Sequence, residues 1–257
     1  MSDKKRVLII DSLNLYLRAY IMDPSLTMGG APCGGIKGSL KILQKLVRDS
    51  KPNEIIFVWD GPNGSQKRKA LNKNYKEGRK PIRLNRSVMN LTDEEEMHNK
   101  VWQQMRLMEY FNEMPIIQIM IPEVEADDVI SHITHLSYDE TVVFRPVSKT
   151  VYNKARIIEE LGVHPRNMAL ARALIGDASD NLPGIPSVGF KTVANRLGFL
   201  AADKDYTIDD ILAFCEKTEK KLKFHNNIME GKNIIEHNYK MMQLYSPMLS
   251  PQSKDFV

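Results

Sequence analysis

Cysteine is scarce: Cys33 and Cys215 are the two in 257 residues. They lie far apart without metal-ligand spacing, so two reduced thiols are expected. No apolar run approaches the roughly 18 residues of a membrane span. Met1-Ser-Asp-Lys-Lys-Arg leads straight into a strand-like run without a signal-peptide pattern, so a cytoplasmic, non-membrane protein is the expectation. The six histidines (His98, His132, His135, His164, His225 and His237) show neither triad nor zinc spacing, and nothing suggests covalent nucleophilic catalysis. Repeats and low-complexity tracts are also missing. Net charge is only +4, from 36 basic and 32 acidic residues, and says little by itself.

The distribution of charge says more. Between Gly61 and Thr92 stand Lys67, Arg68, Lys69, Lys73, Lys76, Arg79, Lys80, Arg83 and Arg86 against the single acid Glu77. A solvated helix face usually intersperses Glu with Lys, so this stretch reads as an electrostatic footprint for a polyanion. Four short apolar runs, 7–11, 54–60, 115–120 and 141–145, alternate with helix-length segments at about 35–50, 93–112 and 125–135. That alternation predicts an α/β domain with a mainly parallel central sheet. In such sheets ligand-binding residues collect at the carboxyl ends of strands, and Asp11 and Asp60 each close a run in that way.

Two further segments concentrate acids. Glu125, Asp127 and Asp128 crowd a helix start after Pro122, where the helix dipole would account for one or two of them. Hard carboxylate oxygens at this density suit Mg²⁺ or Mn²⁺. Asp177 and Asp180 lie in Gly176-Asp-Ala-Ser-Asp-Asn, where metal binding and turn capping are equally good readings. Directly after it, Gly184-Ile-Pro-Ser187-Val-Gly189-Phe-Lys191-Thr192 offers a hairpin and a helix start whose backbone N–H groups can hold phosphate without reading base sequence.

In this order the motifs resemble the 5′-nuclease superfamily: flap endonucleases, bacteriophage 5′-3′ exonucleases and the 5′-nuclease domain of bacterial DNA polymerase I. The carriers are Ile-Ile-Asp11-Ser-Leu-Asn, a Gly-rich stretch from Gly29 to Gly38, Val-Trp-Asp60-Gly, Arg68, and Tyr75-Lys76-Glu-Gly-Arg79. Glu125-Ala-Asp-Asp128, Gly176-Asp-Ala-Ser-Asp180-Asn and a helix-hairpin-helix complete it, so the match spans almost the whole chain. The resemblance implies a PIN-like nuclease core over 1–152 with an arch at about 63–112, then a helical region over 153–257 with the helix-hairpin-helix at about 176–198. It implies a structure-specific 5′-3′ exonuclease and flap endonuclease that uses two Mg²⁺ ions, with Mn²⁺ as a substitute. Asp11, Asp60, Glu125, Asp127 and Asp128 would surround one ion, and Asp177 and Asp180 would serve the other. Lys76 and Arg79, with Asp128, are the implied catalytic residues, the two basic ones polarising the phosphate. Arg68 and Tyr75 would contact DNA, Tyr75 by stacking on a terminal base. Gly184, Ser187, Gly189, Lys191 and Thr192 would grip duplex backbone, with K⁺ as a candidate ion there. Branched or 5′-ended DNA is the implied partner, with RNA–DNA hybrid as a further candidate, and a monomer is expected.

The sequence departs from the family in two ways. Ser187 stands where a third hairpin glycine is common, and Phe190 where Pro or a small residue often occurs, which implies weakened or re-angled phosphate contact. More seriously, the chain passes from His135-Leu-Ser-Tyr-Asp139-Glu140 straight to Thr141-Val-Val-Phe-Arg145. The family's strand ending in a Ser-x-Asp-Lys-Asp-type loop has no counterpart, a shortfall of roughly 15–25 residues for a strand plus loop. Either the segment is deleted, leaving a branched-DNA-binding protein with impaired catalysis, or the natural molecule has it and this sequence omits it. The second is favoured, because removing a central strand strands its neighbours' backbone groups. A Cα–Cα spacing well beyond 3.8 Å between 136 and 142 would reveal such a gap.

Overall fold

The structure, a computed structural model, describes residues 5–78, 84–85, 90–137, 142–145, 150–219, 221–244 and 248–257. The order of elements begins β1 (Val7–Asp11), α1 (Ser12–Met22), α2 (Gly34–Ser50), β2 (Glu54–Trp59), α3 (Gln66–Leu71) and α4 (Asp93–Asn112). It continues with β3 (Ile117–Met120), α5 (Ala126–Ser137), β4 (Val143–Arg145), β5 (Thr150–Tyr152), α6 (Lys154–Leu161) and α7 (Met168–Ile175). The last helices are α8 (Phe190–Arg196), α9 (Ile208–Lys217), α10 (Lys223–Glu230), α11 (Lys232–Met242) and α12 (Pro251–Phe256).

These elements form two compact units interleaved in sequence, one from Met1–Ser65, Lys80–Ile133 and Met248–Val257, the other from Gln66–Arg79 and Thr134–Pro247.

The first unit is built on a parallel sheet in the order β1-β2-β3, in register from Val7↔Glu54 to Asp11↔Val58 and from Ile56↔Ile117 to Trp59↔Met120. β2 is apolar along nearly its whole length, the pattern of a strand covered on both faces, and its Phe57, Val58 and Trp59 are buried. Gly35 and Gly38 let α2 lie tightly against α1, since a Cβ at Gly35 would come within 2.7 Å of the Tyr16 ring and one at Gly38 within 3.0 Å of Ala19.

The segment 93–112 is helical as expected, with Thr92 and Glu95 closing a capping box at its start. The last part of the arch expected at about 63–112 is packed in the first unit instead. From Lys100 onward α4 is a core helix: Tyr16 Oη donates to Lys100 O at 2.5 Å, and Gln103, Leu107 and Phe111 form one buried stripe. Phe111 packs on Phe57 with ring centroids 4.3 Å apart. Four apolar-to-polar helical turns with a single buried face pack against a sheet better than they span open solvent.

The run expected as a fourth parallel strand is also placed elsewhere. β4 pairs antiparallel with β5, from Val143↔Tyr152 to Arg145↔Thr150, in a separate two-stranded sheet. Only a few residues separate the two runs, so local antiparallel pairing is reached with little loop entropy. Among the described residues no further strand joins the parallel sheet. Residues 138–141, where the spacing test and the acids Asp139 and Glu140 fall, lie outside the described residues.

The second unit is otherwise helical. Leu170, Leu174, Val193, Leu197, Ile211 and Ile228 make its core. Cys215 belongs to that core, and burial pushes its thiol up to about 11, which suits packing rather than reactivity.

Candidate active site

Asp11 and Asp60 stand at the carboxyl ends of neighbouring parallel strands, as their sequence positions suggested. Both carboxylates also cap helices. Asp11 accepts from the Asn14 N–H at 3.0 Å and so starts α1. Asp60 Oδ1 accepts from the Ala126 N–H at 2.8 Å, a cap delivered across 66 residues to the first residue of α5. Ala126 lies between Glu125 and Asp127, so this bond ties three acids of two separate motifs together. The following Gly61 permits the approach: a Cβ there would sit 1.8 Å from Ile121 O.

Within that group exposure differs sharply. Asp127 is exposed, Glu125 is buried at 5% exposure, and Asp128 is fully buried. Asp128 Oδ1 accepts from the Met248 N–H at 3.1 Å. That bond engages one oxygen of a carboxylate enclosed by the protein. The candidate donors are all carboxylate oxygens, fitting in kind a hard divalent cation. Among the described residues no three His, Cys, Asp or Glu side chains already stand together as a metal-holding group.

The second unit joins two motifs that are a hundred residues apart. The Lys76 N–H donates to Asp180 O at 3.3 Å, and Asn181 Nδ2 donates to Asn74 O at 3.2 Å. Lys76 and Asn181 both adopt left-handed backbone, with φ of 61° and 59°. Asn tolerates that region well and Lys poorly, so the Lys76 turn is held by what surrounds it. Asn181 is a positioning residue that motif reading missed; an Asn directly after Asp-x-x-Asp was its signal, through its ease in left-handed turns.

Asp177 turns out to be a capping residue in this arrangement. It accepts from the Ser179 N–H at 2.9 Å and from Ser179 Oγ at 2.6 Å, and it pairs with Arg172. Burial opposes ionisation of Asp177, but the Ser179 hydrogen bonds and the Arg172 guanidinium outweigh it and hold its carboxyl below the usual range.

Two expected DNA contacts face inward. Arg68 is 3% exposed and its Nε donates to Met241 O at 3.1 Å, so it locks α3 to the last turn of α11. Tyr75 is 5% exposed, packed with Leu182 and Met241, and presents no free face to a base. Arg68→Ala is expected to lower the second unit's stability by about 2–3 kcal/mol, the loss of a buried hydrogen bond from a charged group. Thermal melting checks it; a change within 0.5 kcal/mol, about the ordinary surface effect, would return Arg68 to the surface. Lys69 and Lys73 remain exposed, whereas Arg79 lies outside the described residues.

The hairpin is present. Ile185 N–H donates to Leu174 O at 2.8 Å, and Gly189 precedes α8 with no side-chain cap. Ser187 adopts φ of 65°, the conformation a glycine would take without strain, and its carbonyl accepts from Thr192 Oγ1 at 3.5 Å. Lys191 is exposed.

A family model described as the 5′-3′ exonuclease, N-terminal resolvase-like domain, matches residues 6–148. The chain is 26% identical to a 5′-3′ exonuclease of Aquifex aeolicus over 270 positions, covering 95% of this chain and 83% of that protein. It is 26% identical to flap endonuclease Xni of Shewanella piezotolerans over 274 positions, covering 98% and 96%. Both spans exceed 257 residues. Since 95% of 257 is about 244, about 26 positions of the Aquifex span have no counterpart here, and the Shewanella span, with 98% or about 252, leaves about 22. That shortfall has the size of the missing strand and loop. In structure the chain is similar to the T5 D15 protein co-crystallised with metal ions, with 18% identity, a TM-score of 0.68, and 93% and 89% of the two chains covered, which shows the shared fold. With the family model covering more than half of its length, the chain belongs to the 5′-3′ exonuclease family.

Proposed function

We propose that this chain is a divalent-metal-dependent nuclease that hydrolyses DNA phosphodiesters at free or branched 5′ ends, as both a 5′-3′ exonuclease and a flap endonuclease. The observation that carries the reading is the Asp60–Ala126 bond, which joins the Asp60 carboxylate, just past the strand that neighbours the one ending in Asp11, to the backbone between Glu125 and Asp127. Asp11, Asp60, Glu125 and Asp127 would hold one ion. Asp180, with Asp177 released from Arg172, would serve a second. Bound Mg²⁺, or Mn²⁺ in its place, supplies a water of lowered pKa and neutralises charge at phosphorus. Lys76 would orient and polarise the phosphate from a turn whose backbone is already fixed. Arg79 is assigned the same task on its sequence position. Lys191 and the backbone around Ser187, Gly189 and Thr192 would contact duplex phosphates, with K⁺ completing the grip.

A labelled 5′-flap duplex tests this. Mg²⁺ should give release of the flap, and chelation should abolish it. A second reading, a protein that binds branched DNA without cutting it, follows from the absence of the family's Asp-bearing loop between His135 and Thr141. Retarded mobility of the flap without cleavage in Mg²⁺ or Mn²⁺ selects that one.

A further inference from the structure

We infer that Asp128 is a positioning residue, which straps the segment Met248–Val257 across α5 and thereby fixes the first turn that carries Glu125 and Asp127. Four observations converge on it. Asp128 is fully buried and accepts the Met248 N–H at 3.1 Å. One helical turn on, His132 Nε2 lies 3.3 Å from Lys254 O; a carbonyl can only accept, so this nitrogen carries the proton. Residues 128 and 132 share a face of α5. The strap is itself ordered: Leu249 is buried, and Ser250 Oγ accepts from the Ser253 N–H at 3.1 Å to start α12.

A strap pinned at Met248 and again at Lys254 restrains both rotation and sliding of the helix. The Asp128 N–H in turn donates to Glu125 O at 3.1 Å, so the buried residue also sets the backbone of a proposed ligand. A buried carboxylate is costly unless it is hydrogen-bonded, and Asp128 sits in the first turn of α5, where the helix dipole favours its charge. Orientation of ligating side chains by such partners typically governs metal affinity by 10–100-fold.

The inference rests on the nuclease reading for the identity of the ligands, and its test does not need cleavage. Mn²⁺ affinity by calorimetry and amide exchange of 248–257 are measured on the full chain. Asp128→Asn keeps an oxygen for the Met248 N–H, and should leave tail exchange unchanged with Mn²⁺ affinity within about threefold. Asp128→Ala and Met248→Pro each remove one side of the bond. Both should speed tail exchange at least tenfold and weaken Mn²⁺ about tenfold, within the range seen for such supporting partners. Asp128→Asn weakening Mn²⁺ as far as Asp127→Asn, with the tail still protected, would make Asp128 a ligand and overturn the inference. A freed tail with unchanged Mn²⁺ affinity would overturn it as well, leaving the nuclease reading intact. Wild-type chain that binds no Mn²⁺ would sink both.

Discussion

Asp60→Ala is expected to slow flap cleavage about a thousandfold and to cost about 1 kcal/mol of stability, whereas Asp60→Asn should lose the same cleavage at almost no cost in stability. The two substitutions separate two tasks of one side chain. Oδ1 accepts the Ala126 N–H at 2.8 Å, a task an Asn oxygen performs equally well. Removing the acceptor leaves the first N–H of α5 without its cap, a loss of about 1 kcal/mol. Holding a cation needs the negative charge, and only Asp supplies it. Several kcal/mol of transition-state stabilisation come from a metal in such a site, which converts to about three decades in rate. Single-turnover cleavage and thermal melting read the two effects separately. Asp60→Asn retaining cleavage within tenfold of wild type would show that the carboxylate is a cap alone.

The second large effect concerns two glycines of one hairpin. Gly184→Ala should destabilise the second unit by about 3 kcal/mol or more, while Gly189→Ala should cost about 1 kcal/mol at most. A Cβ at Gly184 would lie 1.9 Å from Ile175 O and 2.2 Å from Ile175 C, backbone atoms that cannot swing aside. The hairpin would have to lift, breaking the Ile185 N–H bond to Leu174 O. At Gly189 a Cβ meets nothing within 4 Å, and its extended backbone (φ −131°, ψ 176°) suits any residue. The remaining penalty there is that of a weaker N-cap residue. Melting and duplex-DNA retention should fall together for Gly184→Ala and hardly move for Gly189→Ala; equal losses for both would contradict the packing argument.

The contrast between these glycines shows what was legible in the sequence. Motif order placed Asp11, Asp60 and the 125–128 cluster on the correct ends of strands and helices, because apolar periodicity and strand length fix where along the chain a side chain falls. The boundaries of α4 were likewise readable. Direction was not. Arg68, Tyr75 and Asp128 carry the polar or aromatic character of functional residues, yet each faces inward to a partner far away in the chain: Met241, Leu182 and Met248. No local pattern reports a partner 107 to 173 residues distant. The run at 141–145 failed for a related reason. Its apolar composition says that it pairs, and the neighbour that happens to be available decides with what.

The return of Met248–Val257 to the first unit also bears on how the protein is made. Domains usually fold in the order of synthesis, the N-terminal one first. Here the strap that closes over Asp128 is translated only after all of the second unit. The sheet with Asp11 and Asp60 can form early on the ribosome, but its acid-bearing helix is not locked until those ten residues emerge. The first unit therefore begins folding first and finishes last, so in a newly made chain the hairpin at 184–192 can form before the helix that carries Glu125 and Asp127 is strapped down.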